Sequence, residues 1–198
     1  MKEILFATKN KGKLREVRQI AINSELLILS LNDFPDTPDV LETGNSFEEN
    51  AIIKAKEYFN IFKLPCLTDD SGLMVEQLNN QPGIFSARYA GEYATDEDNN
   101  RKIISELNSF SEPHKAKYYC VAVYADDSNI ITDHGEILGT ITKYPKGKNG
   151  FGYDPYFIPE GYDCTMAELD ADTKNKISHR FQAFNKLFNR LKSEGVIK

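Results

Sequence analysis

The stretch that decides the fold is "LTDDSGLMV", Leu67 to Val75, in which two aspartates stand side by side between apolar flanks. Short apolar runs bounded by polar residues are typical of buried strands. The pattern therefore predicts that one strand ends at Thr68 and that another begins at Leu73. A carboxylate resists burial unless a partner offsets the loss of its water. Asp69 and Asp70 thus need a metal ion, a hydrogen-bond network or a loop that faces water.

Two interpretations of the aspartate pair stay open from the residues alone. Carboxylates at a strand end are hard oxygen ligands of the kind that Mg²⁺ prefers. Alternatively, the pair forms a turn in which an aspartate caps backbone amides and Gly72 permits the bend. Glu42, in "LETGNSF", is either a further ligand or an ordinary loop glutamate.

The sequence on both sides of this stretch alternates between strand-like and helix-like patterns. Apolar and β-branched runs predict strands at residues 4–7, 26–29, 118–125 and 130–142. Apolar residues at helical spacing predict helices within residues 14–21, 47–62, 95–107 and 181–191. This mixture predicts an α/β fold with a mixed sheet, in a single domain that covers residues 1–198.

Composition and charge exclude several classes of partner. The chain has 198 residues and a net charge of −6, which argues against nucleic acid or an anionic membrane as the main partner. Any polyanionic substrate therefore needs a local positive site or a metal. The three cysteines are far apart and have no zinc-ligand spacing. Free thiols, and an N-terminal apolar run too short for a signal peptide or membrane span, predict a cytoplasmic protein.

The segment "ATKNKGKLREV", residues 7–17, predicts a strand, a polar loop and a helix. Backbone amides at a helix N-terminus can bind phosphate. Thr8 and Asn10 would add hydrogen bonds and Lys13 a positive charge. The glycine and lysine spacing of a Walker A loop is absent. The local pattern alone favours a solvated loop before a basic helix.

Two later segments allow a similar pair of interpretations. In "GKNGFGYDP", Phe151 and Tyr153 can stack on a base, which contributes about 1–3 kcal/mol in nucleic-acid complexes, or can pack on the core. In "KNKISHR", Lys174, His179 and Arg180 precede or begin a helix, where positive charge opposes the helix dipole. That conflict points to an anionic ligand, and the alternative is a solvated helix end.

Taken in order, these segments resemble the inosine/xanthosine triphosphate pyrophosphatase family, enzymes that remove non-standard purine nucleotides. The resemblance runs nearly end to end and is carried by "ATKNKGKLREV", "ETGNSFEENAIIKA", "TDDSGLMVEQLNNQPGIFSARYAGE", "GFGYDPYF" and "KNKISHR". It implies an α/β fold whose two lobes surround a central substrate cleft, a homodimer and a Mg²⁺ cofactor. It also implies hydrolysis of ITP, dITP and XTP to the monophosphate and pyrophosphate.

The resemblance assigns a role to each matching position. It implies that Asp70 is the catalytic proton acceptor that activates water, and that Asp70 and Glu42 bind the metal. The implied substrate contacts are Thr8, Asn10 and Lys13 for the triphosphate, Ser71, then Phe151, Gly152, Tyr153 and Asp154 for base and sugar, and Lys174, His179 and Arg180. Two rival functions remain, an enzyme that forms a phospho-aspartate and a nucleotide sensor without turnover.

Overall fold

The computed structural model describes residues 2–197, apart from the side chain of Asn23, as an alternation of strands and helices. The strands are β1 (Lys2–Phe6), β2 (Leu26–Ser30), β3 (Cys66–Val75), β4 (Gln81–Pro82), β5 (His114–Ala125), β6 (Ile130–Ile141) and β7 (Phe157–Pro159). The helices are α1 (Lys11–Ile20), α2 (Phe47–Phe62), α3 (Asp96–Leu107), α4 (Ala171–Ile177) and α5 (His179–Ser193). No helix within residues 2–197 has the length and apolar character needed to cross a membrane.

The strands form a mixed sheet in the order β2-β1-β3-β5-β6-β7, with β4 paired to β3. β1 is parallel to both β2 and β3, and its residues Leu5 and Phe6 pair with Cys66 and Leu67. β4 is antiparallel to β3, and β7 is antiparallel to β6. The prediction of an α/β fold with a mixed sheet is therefore confirmed.

The chain divides into two compact units, as the two-lobed fold of the resemblance implies. Unit 1 contains the chain up to Asp70, Cys120–Gly135 and the chain from Arg180 onward. Its main core packs β1, α1 and α5 through Phe6, Val17 and Phe184. Unit 2 contains Ser71–Tyr119 and Glu136–His179. Its core combines side chains of β3, α3, β5 and β7.

The predicted break in the aspartate stretch is wrong, because β3 continues through it from Cys66 to Val75. Gly72 does not provide a bend. A Cβ atom there would lie 2.3 Å from both the carbonyl oxygen of Gly83 and Oγ of Ser86. The Ser86 hydroxyl accepts the backbone N–H of Leu73 at 2.9 Å. Glycine is therefore required for close packing, and the strand stays extended.

Candidate active site

The loop between β1 and α1 is shaped by its own polar side chains. Asn10 is the N-cap of α1, and its Oδ1 accepts the backbone N–H groups of Gly12 at 2.8 Å and Lys13 at 3.1 Å. The Thr8 hydroxyl accepts the N–H of Asn10 at 3.1 Å. Such capping satisfies donors that a helix otherwise leaves without a partner. The loop and the first turn, which carries Lys13, are consequently held in one conformation.

Asp69 is buried in unit 1 between two cations. Its Oδ2 lies 3.0 Å from Nζ of Lys13 and 3.1 Å from Nε of Arg180. Burial alone would raise the pKa of the Asp69 carboxyl, but Lys13 and Arg180 outweigh it and hold that pKa below its ordinary value. Asp69 is therefore ionised at neutral pH, and it fixes the direction of the Lys13 side chain.

Arg180 continues this buried row of charges. Its side chain is 2% exposed, and Nη1 lies 2.6 Å from Oε2 of Glu16 on α1. Burial would lower the pKa of the guanidinium, but the two carboxylates Asp69 and Glu16 reverse the effect and raise it. Glu16, Arg180, Asp69 and Lys13 thus alternate in sign. The predicted contact of Arg180 with the substrate stays a prediction.

Asp70, the second aspartate of the pair, has a different environment. It is buried, and one carboxylate oxygen accepts a hydrogen bond from Nδ2 of Asn50 at 3.2 Å. Burial raises the pKa of Asp70 to about 6; Glu42 also raises that pKa, and Lys54 and Lys13 oppose the rise. Adjacent carboxylates with pKa values displaced in opposite directions are typical of sites that use one as a base.

Glu42 and Lys54 form an ion pair beside this carboxylate, with Oε1 and Nζ separated by 2.7 Å. Burial would lower the pKa of Lys54, but Glu42, Asp69 and Asp70 together raise it, so the ammonium stays charged. Asn50 and Lys54 are four residues apart on α2 and therefore share a face of that helix. The ammonium neutralises part of the negative charge of unit 1.

Neither Asn50 nor Lys54 was assigned a role from the sequence, although a signal was present. Both lie beside the apolar stripe of α2, which is formed by Phe47, Ala51, Ala55 and Tyr58. Polar side chains on the buried side of a helix require partners. That requirement would have pointed to a polar cluster next to the Asp69–Asp70 pair.

A divalent metal fits the donor set of unit 1 only with help from a substrate. Within residues 2–197, no group of three or more His, Cys, Asp and Glu side chains is arranged to hold a metal ion. Mg²⁺, however, is usually bound by one or two carboxylates together with water and substrate phosphates. Asp70 and Glu42 would supply two such carboxylates, and the charge of Glu42 contributes to the raised pKa of Asp70.

In unit 2, the loop before β7 is built around the buried carboxylate of Asp154. Its Oδ2 accepts the N–H of Phe151 at 2.8 Å and a hydrogen bond from Nζ of Lys174 at 2.7 Å. The same ammonium lies 4.9 Å from the centre of the Phe151 ring, which is partly exposed. Phe151 and Lys174 are thus held together, with the ammonium over the aromatic ring.

The remaining predicted residues of unit 2 differ in their surroundings. Tyr153 is buried in the core and donates its hydroxyl to the carbonyl of Ser86 at 2.7 Å, so this aromatic residue follows the packing interpretation. The Gly152 N–H donates to Asp96 at 2.7 Å. The His179 ring stacks on Tyr118 with centroids 4.7 Å apart and ring planes within 7°. Ser71 lies on β3 and is partly exposed.

The structure therefore gathers the predicted residues into two sets, one in each unit. The first contains Thr8, Asn10, Lys13, Glu42, Asp70 and Arg180, and the second contains Ser71, Phe151, Gly152, Tyr153, Asp154, Lys174 and His179. Buried carboxylates beside lysines, and a glycine-rich loop that carries a partly exposed aromatic ring, make these two sets candidates for a site that binds and hydrolyses a nucleotide.

Comparison with known proteins agrees with that class. Residues 4–190 match the Ham1 family, and the chain belongs to this family. It is 46% identical over 198 residues to a dITP/XTP pyrophosphatase of Geobacter sulfurreducens, covering 99% of this chain and 100% of that protein. It is 44% identical to a dITP/XTP pyrophosphatase of Bacillus anthracis, covering 96% of each.

Solved structures of the same family have the same fold. A HAM1 protein from Coxiella burnetii superposes with a TM-score of 0.88 at 41% identity, covering 98% of this chain and all of that chain. The Staphylococcus aureus Ham1 protein gives a TM-score of 0.87 at 38% identity with the same coverage. The resemblance drawn from the motifs is thus confirmed.

Proposed function

We propose that this protein hydrolyses the triphosphates of non-standard purines, ITP, dITP and XTP, to the nucleoside monophosphate and pyrophosphate. The proposal depends on the buried carboxyl of Asp70, which has a pKa of about 6 and is adjacent in sequence to the ionised Asp69. The named activity of the relatives, dITP/XTP pyrophosphatase, supports the choice of substrate.

Asp70 acts as the general base. A base is most effective when its pKa is close to the working pH while enough of it stays ionised. A carboxyl with a pKa of about 6 meets both conditions at neutral pH. Asp70 accepts the proton of the water that attacks the α-phosphorus, and Asn50 fixes the orientation of its carboxylate.

Asp70 and Glu42 would hold Mg²⁺. When bound there, Mg²⁺ would supply positive charge that stabilises the negative charge developing during hydrolysis. Lys54 balances the charge of Glu42 until the substrate arrives, and its buried ammonium offsets part of the negative charge of the two carboxylates.

The triphosphate binds to the loop that contains Thr8 and Asn10 and to the start of α1. Backbone N–H groups at a helix N-terminus attract phosphate, and Lys13 adds a positive charge whose direction Asp69 fixes. The chain has a net charge of −6, so a polyanionic substrate needs a local positive site, and this arrangement provides one. Lys13 stabilises the leaving pyrophosphate.

The base is bound by residues of unit 2. Phe151 stacks on the purine, and Lys174 and His179 supply donors for the 6-keto oxygen of hypoxanthine or xanthine. Adenine has an amino group at that position and would face donor against donor, a mismatch that discriminates strongly when it is buried. Gly152, Tyr153 and Asp154 shape the loop, while Ser71 and Arg180 contribute further substrate contacts.

The protein works as a cytoplasmic homodimer. Cys66, Cys120 and Cys164 are free thiols, which supports a reducing compartment. Large exposed aromatic side chains at Phe85 and Tyr93 in unit 2 support a contact between copies. Light scattering of the purified protein measures the mass in solution, and a monomer at micromolar concentration contradicts this part of the proposal.

Product analysis tests the activity and separates it from its rivals. Incubation with ITP and Mg²⁺ is expected to release monophosphate and pyrophosphate, with orthophosphate only after an inorganic pyrophosphatase is added. Direct release of orthophosphate and a diphosphate would contradict attack at the α-phosphorus. A trapped acyl-phosphate would indicate a phospho-aspartate enzyme, and binding without turnover would indicate a sensor.

A further inference from the structure

We infer that Asp154 does not contact the substrate but positions the groups that distinguish one base from another, and that Tyr118 extends this action to His179. The inference rests on the proposed function, because it concerns how the base is read. It assigns a role to Tyr118, a residue without one so far, and changes the role that the resemblance implies for Asp154.

The two oxygens of the Asp154 carboxylate hold different parts of unit 2. Oδ2 accepts the Phe151 N–H and the Lys174 ammonium, at 2.8 Å and 2.7 Å. Oδ1 lies 3.4 Å from the hydroxyl of Tyr118, which donates to it. Because Asp154 is 4% exposed and its oxygens have these donors, the carboxylate serves the protein rather than a ligand.

Gly150 shows how closely the loop is wrapped around this carboxylate. Its φ angle is +80°, and a Cβ atom there would lie 2.1 Å from Oδ2 of Asp154. Both features require glycine. The loop that ends in Phe151 is therefore folded onto the carboxylate, and the position of the aromatic ring depends on it.

Tyr118 carries the constraint to His179. The rings of Tyr118 and His179 are nearly parallel and stacked. The Tyr118 ring also packs against the Phe157 ring, with the ring centroids 4.7 Å apart. Burial, together with Asp154, raises the pKa of Tyr118 well above its ordinary value, so the hydroxyl remains a donor. The bond to Asp154 holds the outer end of the Tyr118 ring, the contact with Phe157 restricts its rotation, and the imidazole of His179 stacks on the ring held in this way.

Single-oxygen substitutions test the inference. Tyr118→Phe keeps the stack and removes the bond to Asp154. Tyr124→Phe is the matched control, since Tyr124 lies on the same strand, is fully buried and donates to Asp126 at 2.8 Å. Asp154→Asn keeps the shape of the side chain but removes the charge that holds Lys174. Steady-state kinetics with ITP and with ATP is measured for all three variants and the unmodified protein.

Tyr118→Phe is expected to reduce kcat/KM for ITP by about 2- to 10-fold, the effect of one hydrogen bond. Asp154→Asn is expected to reduce it by about 10- to 100-fold, because charged bonds are lost. In both variants, the decrease in kcat/KM should come from a higher KM rather than a lower kcat. Both variants should also prefer ITP over ATP less strongly than the unmodified protein. Tyr124→Phe should match the unmodified protein.

The inference is overturned if the ratio of kcat/KM for ITP to kcat/KM for ATP is unchanged in Tyr118→Phe and Asp154→Asn, as it would be if both nucleotides lost activity equally. It is also overturned if Tyr124→Phe lowers this ratio to the same extent. If Asp154→Asn does not fold, Tyr118→Phe decides alone, since Tyr124→Phe reports what loss of a buried tyrosine hydroxyl costs the fold. An unmodified protein with no preference for ITP over ATP would instead refute the proposed function.

Discussion

The side-chain amide of Asn50 connects Asp70 to the loop that carries Glu42. Its Nδ2 donates to the Asp70 carboxylate at 3.2 Å, and its Oδ1 accepts the N–H of Gly44 at 2.8 Å. Asn50 is fully buried and lies on α2. One amide thus orients the proposed base and fixes the backbone two residues after Glu42.

Asn50→Asp should move the acidic limb of the pH–rate profile to higher pH. The new carboxylate would lie within hydrogen-bond distance of Asp70, and a like charge so close raises the pKa of the pair. We expect the limb to shift upward by about 1 unit or more. Kinetics over a pH series measures it, and Asn99→Asp, a change of the same kind in α3, is the control. An unmoved limb would show that Asp70 does not determine it.

Asp70→Asn should abolish most turnover while leaving the fold intact. The amide keeps the shape of the carboxylate but cannot accept a proton, and loss of a general base costs about 10²- to 10⁴-fold in kcat. Asp127→Asn, at an exposed turn position, controls for the change of charge. Circular dichroism checks the fold. Near-normal kcat in Asp70→Asn at saturating Mg²⁺ would remove Asp70 from its proposed role.

The same substitution should stabilise the metal-free protein at neutral and alkaline pH. The folded-state pKa of Asp70 is about 6, above the ordinary 3.8, so between these values the folded state binds more protons than the unfolded state. The free energy of unfolding therefore falls as pH rises through this window, by about 3 kcal/mol in total. Above this pH window, the buried charge of Asp70 lowers the free energy of unfolding of the unmodified protein by the full amount, and Asp70→Asn has no such charge.

Urea unfolding in the presence of a chelator measures this difference at a series of pH values. We expect Asp70→Asn to be the more stable protein by about 2–3 kcal/mol at alkaline pH, with the gap closing toward pH 4. The pKa of Asp69 is lowered, so the contribution of Asp69 to the free energy of unfolding decreases only as pH falls below the ordinary pKa of an aspartate. This decrease is the same in both proteins. A gap that is constant with pH would contradict the assigned protonation of Asp70.

Glu16→Ala should destabilise unit 1 strongly. It leaves the buried guanidinium of Arg180 without the partner that lies 2.6 Å away, and breaking a buried ion pair costs about 3–5 kcal/mol. Glu97→Ala is the matched control, because Glu97 pairs with Arg101 at 3.7 Å on the exposed face of α3. Exposed pairs contribute about 1 kcal/mol or less. Equal effects of the two substitutions on denaturant midpoints would refute the structural role of Glu16.

Much of the fold follows from local pattern, and the misses have physical causes. The Ser46 cap of α2 and the reciprocal Thr95–Asp98 cap of α3 involve residues three positions apart, a spacing that a sequence shows directly. Ser46 and Glu49 in α2 have the same spacing, but the Glu49 carboxylate accepts the N–H of Asn45, and the reciprocal bond to Ser46 is absent from the described bonds. The short helix α4 has no apolar stripe that a spacing argument detects.

The candidate site likewise has features that the sequence shows and features that only the folded structure shows. The aspartate pair was singled out because adjacent aspartates between apolar flanks are conspicuous in a sequence, and the family resemblance then assigned the role of base to Asp70. The partner of Arg180, Glu16, is 164 residues away, and the side chain that closes over Gly72 comes from Ser86. Such contacts are created by folding and leave no local spacing. The structure is therefore needed to see that Arg180 is neutralised by carboxylates and that β3 is continuous.

Glu42→Gln should chiefly raise the Mg²⁺ concentration required for activity. The amide keeps one oxygen ligand but loses the charge that attracts the cation, and it also leaves Lys54 without the ion pair at 2.7 Å. The uncompensated ammonium would further repel a divalent ion. We expect the half-saturating Mg²⁺ concentration to rise about 10-fold or more, with kcat at saturation reduced far less. Glu48→Gln, an exposed residue in the first turn of α2, is the control. Magnesium titrations at fixed ITP distinguish the outcomes. An unchanged Mg²⁺ dependence would exclude Glu42 as a ligand, and a loss of kcat that added Mg²⁺ does not restore would place Glu42 with Asp70 in the proton-transfer step.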